Sequence, residues 1–382
     1  MKNRCKSIII MVWSVFITGC VGVEENQQSG NNVIQNGEFG IWQNETNPPI
    51  QLEKIMTFGD MQFQGEAVLS SARNIRSLHT DANQNLYLVD NGLNQIISFD
   101  KEGKLRWKTG NKGKGPGDID GVRGLSTYGD KILISNIGGS RIDVFDVEGN
   151  FIRSYSLDGI GNSRLLLCGI TESGEVILRS NITNKIGVHI YVLDYANNLR
   201  LTSDFKVIFD KENEYMTGLG SETAVIGNEI AIMSGAEFSF VFYDVEGHKI
   251  REVKRGIDTF VKPGNYVDGN GTERAFVPFS GGTVPYFVND SILVNRISWP
   301  TNISDPDEIA KEMAVTRKYP DLEFERSLDF YYKNGRLLFS FRGKEMKESL
   351  LKPEYADGNG NFYIVTDEPY PQIQKYAVKI LK

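Results

Sequence analysis

The chain has 382 residues, of which 40% are hydrophobic and 24% charged, so a folded core is expected rather than disorder. Its formal net charge is −7 and it carries no basic block, which argues against a nucleic-acid partner, because neutralising phosphates takes clustered Lys and Arg. The three cysteines, Cys5, Cys20 and Cys168, form no CxxC or Cys/His spacing, so no disulfide framework, metal site or other cofactor is expected.

The first segment, "MKNRCKSIIIMVWSVFITGC", has a basic start at Lys2, Arg4 and Lys6, an apolar stretch from Ile8 to Ile17, and small residues before Cys20. This is the layout of a secretory signal, and the apolar run is short of the roughly 20 residues that a membrane span needs. Ile17-Thr18-Gly19-Cys20 resembles the bacterial lipobox. That resemblance implies removal of residues 1–19, lipidation of Cys20 and anchoring at the outer membrane, on its periplasmic or cell-surface face. Residues 20–49 are polar, rich in Gly, Asn and Gln, and non-periodic, and are expected to be a flexible tether. Glu24 and Glu25 resemble the acidic export signal of bacterial surface lipoproteins; ordinary tether charge explains them equally well.

Residues 50–60, "IQLEKIMTFGD", read as a lone strand. A hairpin then recurs: "FDKEGKLRWKTG" at 99–110, "FDVEGNFIRSYSL" at 145–157 and "YDVEGHKIREVKRG" at 243–256. Each copy follows two or three further apolar runs of four to six residues separated by Gly, Asn and Asp, which is strand patterning. Asp100, Asp146, Asp194 and Asp244 stand 46, 48 and 50 residues apart, a period that with four strands per unit predicts propeller blades. The first four blades fall at about 75–108, 122–156, 165–205 and 223–254, and the fifth is split by residues 300–325. In that insertion Ser304 or Asp305 is placed to cap a short helix that begins at Pro306. The last unit has only three strands, and the strand at 50–60 supplies the fourth. The expected fold is therefore all-β: one six-bladed propeller over residues 50–382, closed by its N-terminal strand so that no sheet edge stays open.

The lipobox, the "F-D-x-x-G" hairpins and the run "GNKGKGPGDI" after the first blade together resemble the Bacteroidetes six-bladed β-propeller lipoproteins with NHL-like repeats. The resemblance covers residues 50–382 and implies a six-bladed ring on an exported lipoprotein; it supplies no catalytic residues.

The elaborated segments, 110–121, 136–140, 180–187, 206–220, 256–283 and 297–325, all fall on the face where b–c loops and d–a connections emerge, so that face is the expected binding surface. The glycine-rich run lacks the phosphate-loop spacing, and "DGNGTE" and "DGNGN" are incomplete as calcium loops and read as turns. The three histidines lie on three different blades, and no G-x-S-x-G elbow is present. Arg76 in "IRSL" and Arg123 in "VRGL" occupy matching positions on innermost strands. There they either grip a carboxylate or sulfate in the channel or pair with acids of a neighbouring blade. Trp299 is either a stacking platform for a sugar or peptide or an anchor for the insertion. Three function classes follow: a non-catalytic binding lipoprotein for a glycan, peptide or protein; a metal-dependent lactonase-like or lyase-like enzyme; and a structural component of an envelope complex.

Overall fold

The computed structural model describes residues 32–43, 46–59, 68–161, 165–181, 187–208, 222–233, 238–257, 261–277, 280–318, 320–344 and 346–381. The signal segment, Cys20, Glu24 and Glu25 lie outside these residues, as do parts of the expected loops at 180–187 and 206–220.

The chain is a six-bladed β-propeller of four-stranded antiparallel blades. Blade 1 runs from Ile75–Thr80 to Leu105–Thr109, blade 2 from Val122–Tyr128 to Phe151–Ser156, and blade 3 from Leu166–Ile170 to Arg200–Ile208. Blade 4 runs from Glu222–Ile226 to Lys249–Arg255, and blade 5 from Tyr286–Asn289 to Leu337–Arg342. Blade 6 comprises Tyr355–Ala356, Asn361–Thr366 and Gln372–Ile380, and its outermost strand is Ile50–Phe58, paired antiparallel to Gln372–Ile380. The N-terminal strand closes the ring.

The core is divided into six wedges, one in each seam between neighbouring blades. Blades 6 and 1 share Phe58, Leu88, Phe99 and Tyr363; blades 4 and 5 share Phe240, Phe242, Trp299 and Tyr331. The other four seams are built the same way. A strand that is apolar on both faces, such as Leu86–Asp90, is buried throughout because each sheet is covered on both sides.

The repeated hairpin has a specific chemical basis. The Asp146 carboxylate accepts the backbone N–H groups of Glu148 (3.0 Å) and Asn150 (2.8 Å), fixing the turn, and Asp100 and Asp244 do the same in their own copies. Gly149 adopts φ 86°, and a Cβ there would lie 2.9 Å from the Trp107 ring of the preceding blade. The Trp107 indole N–H donates to the Val147 carbonyl at 3.1 Å. The motif recurs because each c–d turn docks flat on the outer strand of the blade before it.

The expected tether differs from the structure in its second half. Val33–Asn36 forms a parallel fifth strand on blade 4, paired with Glu252–Arg255. The Asn36 side chain is buried, donates to the carbonyls of Lys254 (3.3 Å) and Gly335 (2.9 Å), and accepts the Leu337 N–H at 2.7 Å, so it bridges blades 4 and 5. Ile41 and Trp42 then bond through their backbone to Leu337 and Leu338 of blade 5. Four residues flanked by Asn and Gly carry no period that sequence reading can detect; their partners lie more than 200 residues away.

The insertion forms a small satellite. A hairpin, Gly264–Val267 with Glu273–Val277, packs against an 11-residue helix, Pro306–Thr316, over a cluster of Val277, Ala310, Tyr266, Ile309 and Met313. Asp305 caps the helix by accepting the N–H groups of Asp307 and Glu308, and Pro306 takes the first turn. Both segments leave the ring from the same face.

Candidate binding site in the central channel

The innermost strands of all six blades line one axial cavity of about 960 Å³, within the range of small-ligand sites. Each inner strand begins at the elaborated face and runs toward the opposite one. Arg76 and Arg123 stand near the beginnings of their strands, hence at the elaborated mouth. The pairing register shifts between Arg76 and Leu78 and between Val122 and Leu125, and Ser77 adopts φ 48°. A bulge of this kind re-aims the side chain beside it, and both arginines line the cavity. Gly124 sits where a Cβ would come within 2.1 Å of the Leu167 carbonyl oxygen, so blades 2 and 3 approach closely beside Arg123.

Both arginines are exposed to the channel. Arg76 donates through Nη1 to its neighbour Ile75 at 2.9 Å, and among the described residues neither arginine forms an ion pair. Sequence reading missed the rest of the mouth. Arg179 of blade 3 lines it from a second strand, opposite Leu166 in register. Glu222 of blade 4, Tyr286 of blade 5 and Glu354 of blade 6 complete it. Glu222 and Tyr286 begin their inner strands, close to where Arg76 and Arg123 stand in theirs, whereas Glu354, just before Tyr355, stands level with Leu78 and deeper in the channel; all have unlike neighbours in sequence.

Burial raises the Glu222 carboxyl pKa and nearby Glu354 adds to the rise, while Lys352, the Val284 N–H (3.3 Å) and Arg179 oppose it. Burial, then the charges of Glu222 and Glu354, hold the Tyr286 phenol protonated well above the usual range. Arg296, on the second strand of blade 5, is drawn down to about 10 by burial and by Arg326, with Glu354 opposing. Lys352 lies 3.0 Å from Glu354.

The opposite end of the channel holds His79, Tyr128, Glu172, Asp290 and Asp357. The His79 ring packs 5.0 Å from that of Tyr355, and its Nδ1 lies 2.8 Å from Thr127 Oγ1 and 3.1 Å from the Thr80 carbonyl. Burial lowers its pKa from 6.5 to about 4, only partly offset by the Thr80 carbonyl. The unfolded chain therefore binds a proton that the fold rejects, and stability falls as pH drops from about 6.5 toward 4. A His79→Gln variant is expected to show a shallower loss of melting temperature than the parent across that window. Equal slopes in matched thermal melts would exclude His79 as the cause.

Trp299 is corrected by the structure. It lies on the second strand of blade 5 rather than in the insertion, and is 0% exposed. Its ring meets Phe238 edge-on at 5.9 Å, with the Arg342 guanidinium 5.1 Å from the ring. It holds the seam between blades 4 and 5 and offers no face to a ligand.

The glycine-rich run is consumed internally. The Arg141 guanidinium of blade 2 donates to the carbonyls of Lys114, Gly115 and Asp118, and to the buried Asp143 carboxylate. Asp268 and Asp357 each accept two backbone N–H groups of their own turns, as turn chemistry requires. Asp244, Glu246 and His248 lie close together on one exposed hairpin, where Asp244 already accepts from the other two.

No protein-family model matches the chain, and no curated protein matches it in sequence. Among solved structures it is similar to a Bacteroides fragilis protein thought to be exported, with 12% identity and a TM-score of 0.57, over 92% of this chain and 100% of that one. It is also similar to a Bacteroides vulgatus member of the family DUF4221, with 11% identity and a TM-score of 0.53, over 87% of this chain and 99% of that one. A virginiamycin B lyase from Staphylococcus aureus is similar at 11% identity and a TM-score of 0.43, over 86% and 99% of the two chains, too loosely to bear on chemistry. No helix among the described residues is long and apolar enough to cross a membrane. At these identities the likenesses establish the ring and its fold, and leave the chemistry to the residues of this channel.

Proposed function

We propose that this chain is an exported binding protein of the cell envelope, lipid-anchored through Cys20 in the manner of NHL-like propeller lipoproteins. It takes a glycan, peptide or protein partner at its elaborated face and holds an anionic group of that partner at Arg76 and Arg123 without transforming it. The observation that carries this reading is the pair of exposed arginines, which form no ion pair among the described residues, in an open cavity of about 960 Å³. Guanidinium groups poised by bulges, with no carboxylate partner among the described residues, suit an incoming carboxylate or sulfate. The satellite of hairpin and helix extends the same face and supplies area for a larger partner. The signal segment and the likeness to a protein thought to be exported support the location.

The test is a glycan and peptide array probed with the full-length protein, with and without divalent metal. A bound anionic ligand is expected, and Arg76→Ala or Arg123→Ala should weaken it at least tenfold, with an effect that shrinks as salt rises. Metal-dependent turnover of a lactone or ester would overturn the non-catalytic reading. Cys20→Ser is expected to move the protein from the membrane to the soluble fraction; continued membrane association would reject the lipid anchor.

A further inference from the structure

The mouth of the channel is polarised. In a ring of six, blade 4 stands across from blade 1, blade 5 from blade 2 and blade 6 from blade 3. Blades 1, 2 and 3 present Arg76, Arg123 and Arg179 to the cavity; blades 4, 5 and 6 present Glu222, Tyr286 and Glu354. By blade order Glu222 lies on the side of the channel opposite Arg76, and Glu354, somewhat deeper, on the side opposite Arg179. A ligand with a single kind of charge would meet attraction from one arc and repulsion from the other.

From this juxtaposition we propose that the channel mouth takes a zwitterionic ligand, with its carboxylate on the Arg76–Arg123 arc and its ammonium between Glu222 and Glu354, the chemistry of a short peptide with free termini. The inference rests on the reading of the channel as a binding site and specifies what enters it. Burial and, with it, nearby Glu354 raise the Glu222 carboxyl pKa, so Glu354 makes ionisation of Glu222 more costly. A cation placed between the two carboxylates offsets that repulsion. Lys352 and Arg296 interact with Glu354 from outside the cavity, while Glu354 itself lines the channel. Arg179 tempers Glu222 at the seam of blades 3 and 4, which leaves Arg76 and Arg123 as the principal carboxylate arc. The Tyr286 hydroxyl, protonated at any working pH, stands between the two carboxylates as a further donor or acceptor.

The test uses the full-length protein and three pools of random tripeptides: with free termini, N-acetylated, and C-amidated. Peptides retained after gel filtration are identified by mass spectrometry, and the best is titrated by calorimetry. Retention is expected from the free pool, with at least a tenfold loss on capping either end. Glu222→Gln and Glu354→Gln, checked for folding by circular dichroism, should remove the penalty for N-acetylation but keep that for C-amidation. Arg76→Ala should do the reverse. If N-acetylation costs nothing while Arg76→Ala still weakens binding, the zwitterion inference falls and the anion site stands. If no pool is retained, the inference falls, and the anion site is then judged by the array alone. If binding occurs and ignores both Arg76 and Arg123, both readings fall.

Discussion

Removing residues 50–58 is expected to abolish the cooperative melting transition of the whole ring. This strand pairs along its length with Gln372–Ile380, from Ile50 opposite Ile380 to Phe58 opposite Ile373. Its loss exposes the edge of blade 6 and empties the seam with blade 1, where the Phe58 ring packs 5.8 Å from Phe99 and 6.0 Å from Tyr363. Truncating Phe58 alone to Ala should cost about 3–5 kcal/mol, the usual cost of deleting a buried aromatic ring. Domains of ordinary stability hold only about 5–15 kcal/mol, so removing the ring together with the ladder leaves little to sustain a closed structure. Circular dichroism melts of the deletion and of Phe58→Ala measure both effects. An unchanged midpoint in the deletion variant would show that the ring does not depend on this closure.

The second large effect is expected at Asp329. Its carboxylate is 0% exposed and accepts four hydrogen bonds: from Ser327 Oγ at 2.7 Å, Ser340 Oγ at 2.6 Å, the Tyr331 hydroxyl at 3.1 Å and Arg255 Nε at 3.0 Å. The Arg255 side chain is 2% exposed and also donates to the Gly37 carbonyl of the N-terminal segment. Asp329→Ala leaves a guanidinium buried without its counter-charge, and should cost about 3–5 kcal/mol. The double variant Arg255→Met/Asp329→Leu removes both charges and should recover much of that loss, because the desolvation of the pair disappears with it. Urea denaturation of the two single variants and the double gives the coupling. Additive losses would mean that the two groups act independently.

The ring was legible because its governing chemistry repeats in one dimension. Asp at the turn and Gly three residues later are needed wherever a c–d hairpin must lie flat on the preceding blade, so Asp100, Asp146 and Asp244 announce the period directly. The closing strand was legible by subtraction, since the last unit lacked one. Depth was not legible. Trp299 reads the same in a sequence whether its ring faces a ligand or a seam, and only the packing of blade 5 against blade 4 decides. Arg76 and Arg123 were found because blades 1 and 2 keep the repeat closely. Glu222, Tyr286 and Glu354 stand at comparable places in the ring but differ in side chain and in flanking sequence. The segment around Asn36 was missed because its structure comes entirely from distant partners.

Residues 33–42 form a belt across blades 4 and 5, and this has a kinetic consequence. Residues 33–42 are made early but dock on strands near 252 and 337, and residues 50–58 wait for strands near 373–380. Pairings of such sequence separation raise the contact order and slow the final step of folding. The N-terminal segment cannot dock until the strands near 337 exist, and the strand at 50–58 cannot pair until those at 373–380 do. Closure of the ring is therefore expected to be the last step of folding, after the seams between neighbouring blades have begun to fill.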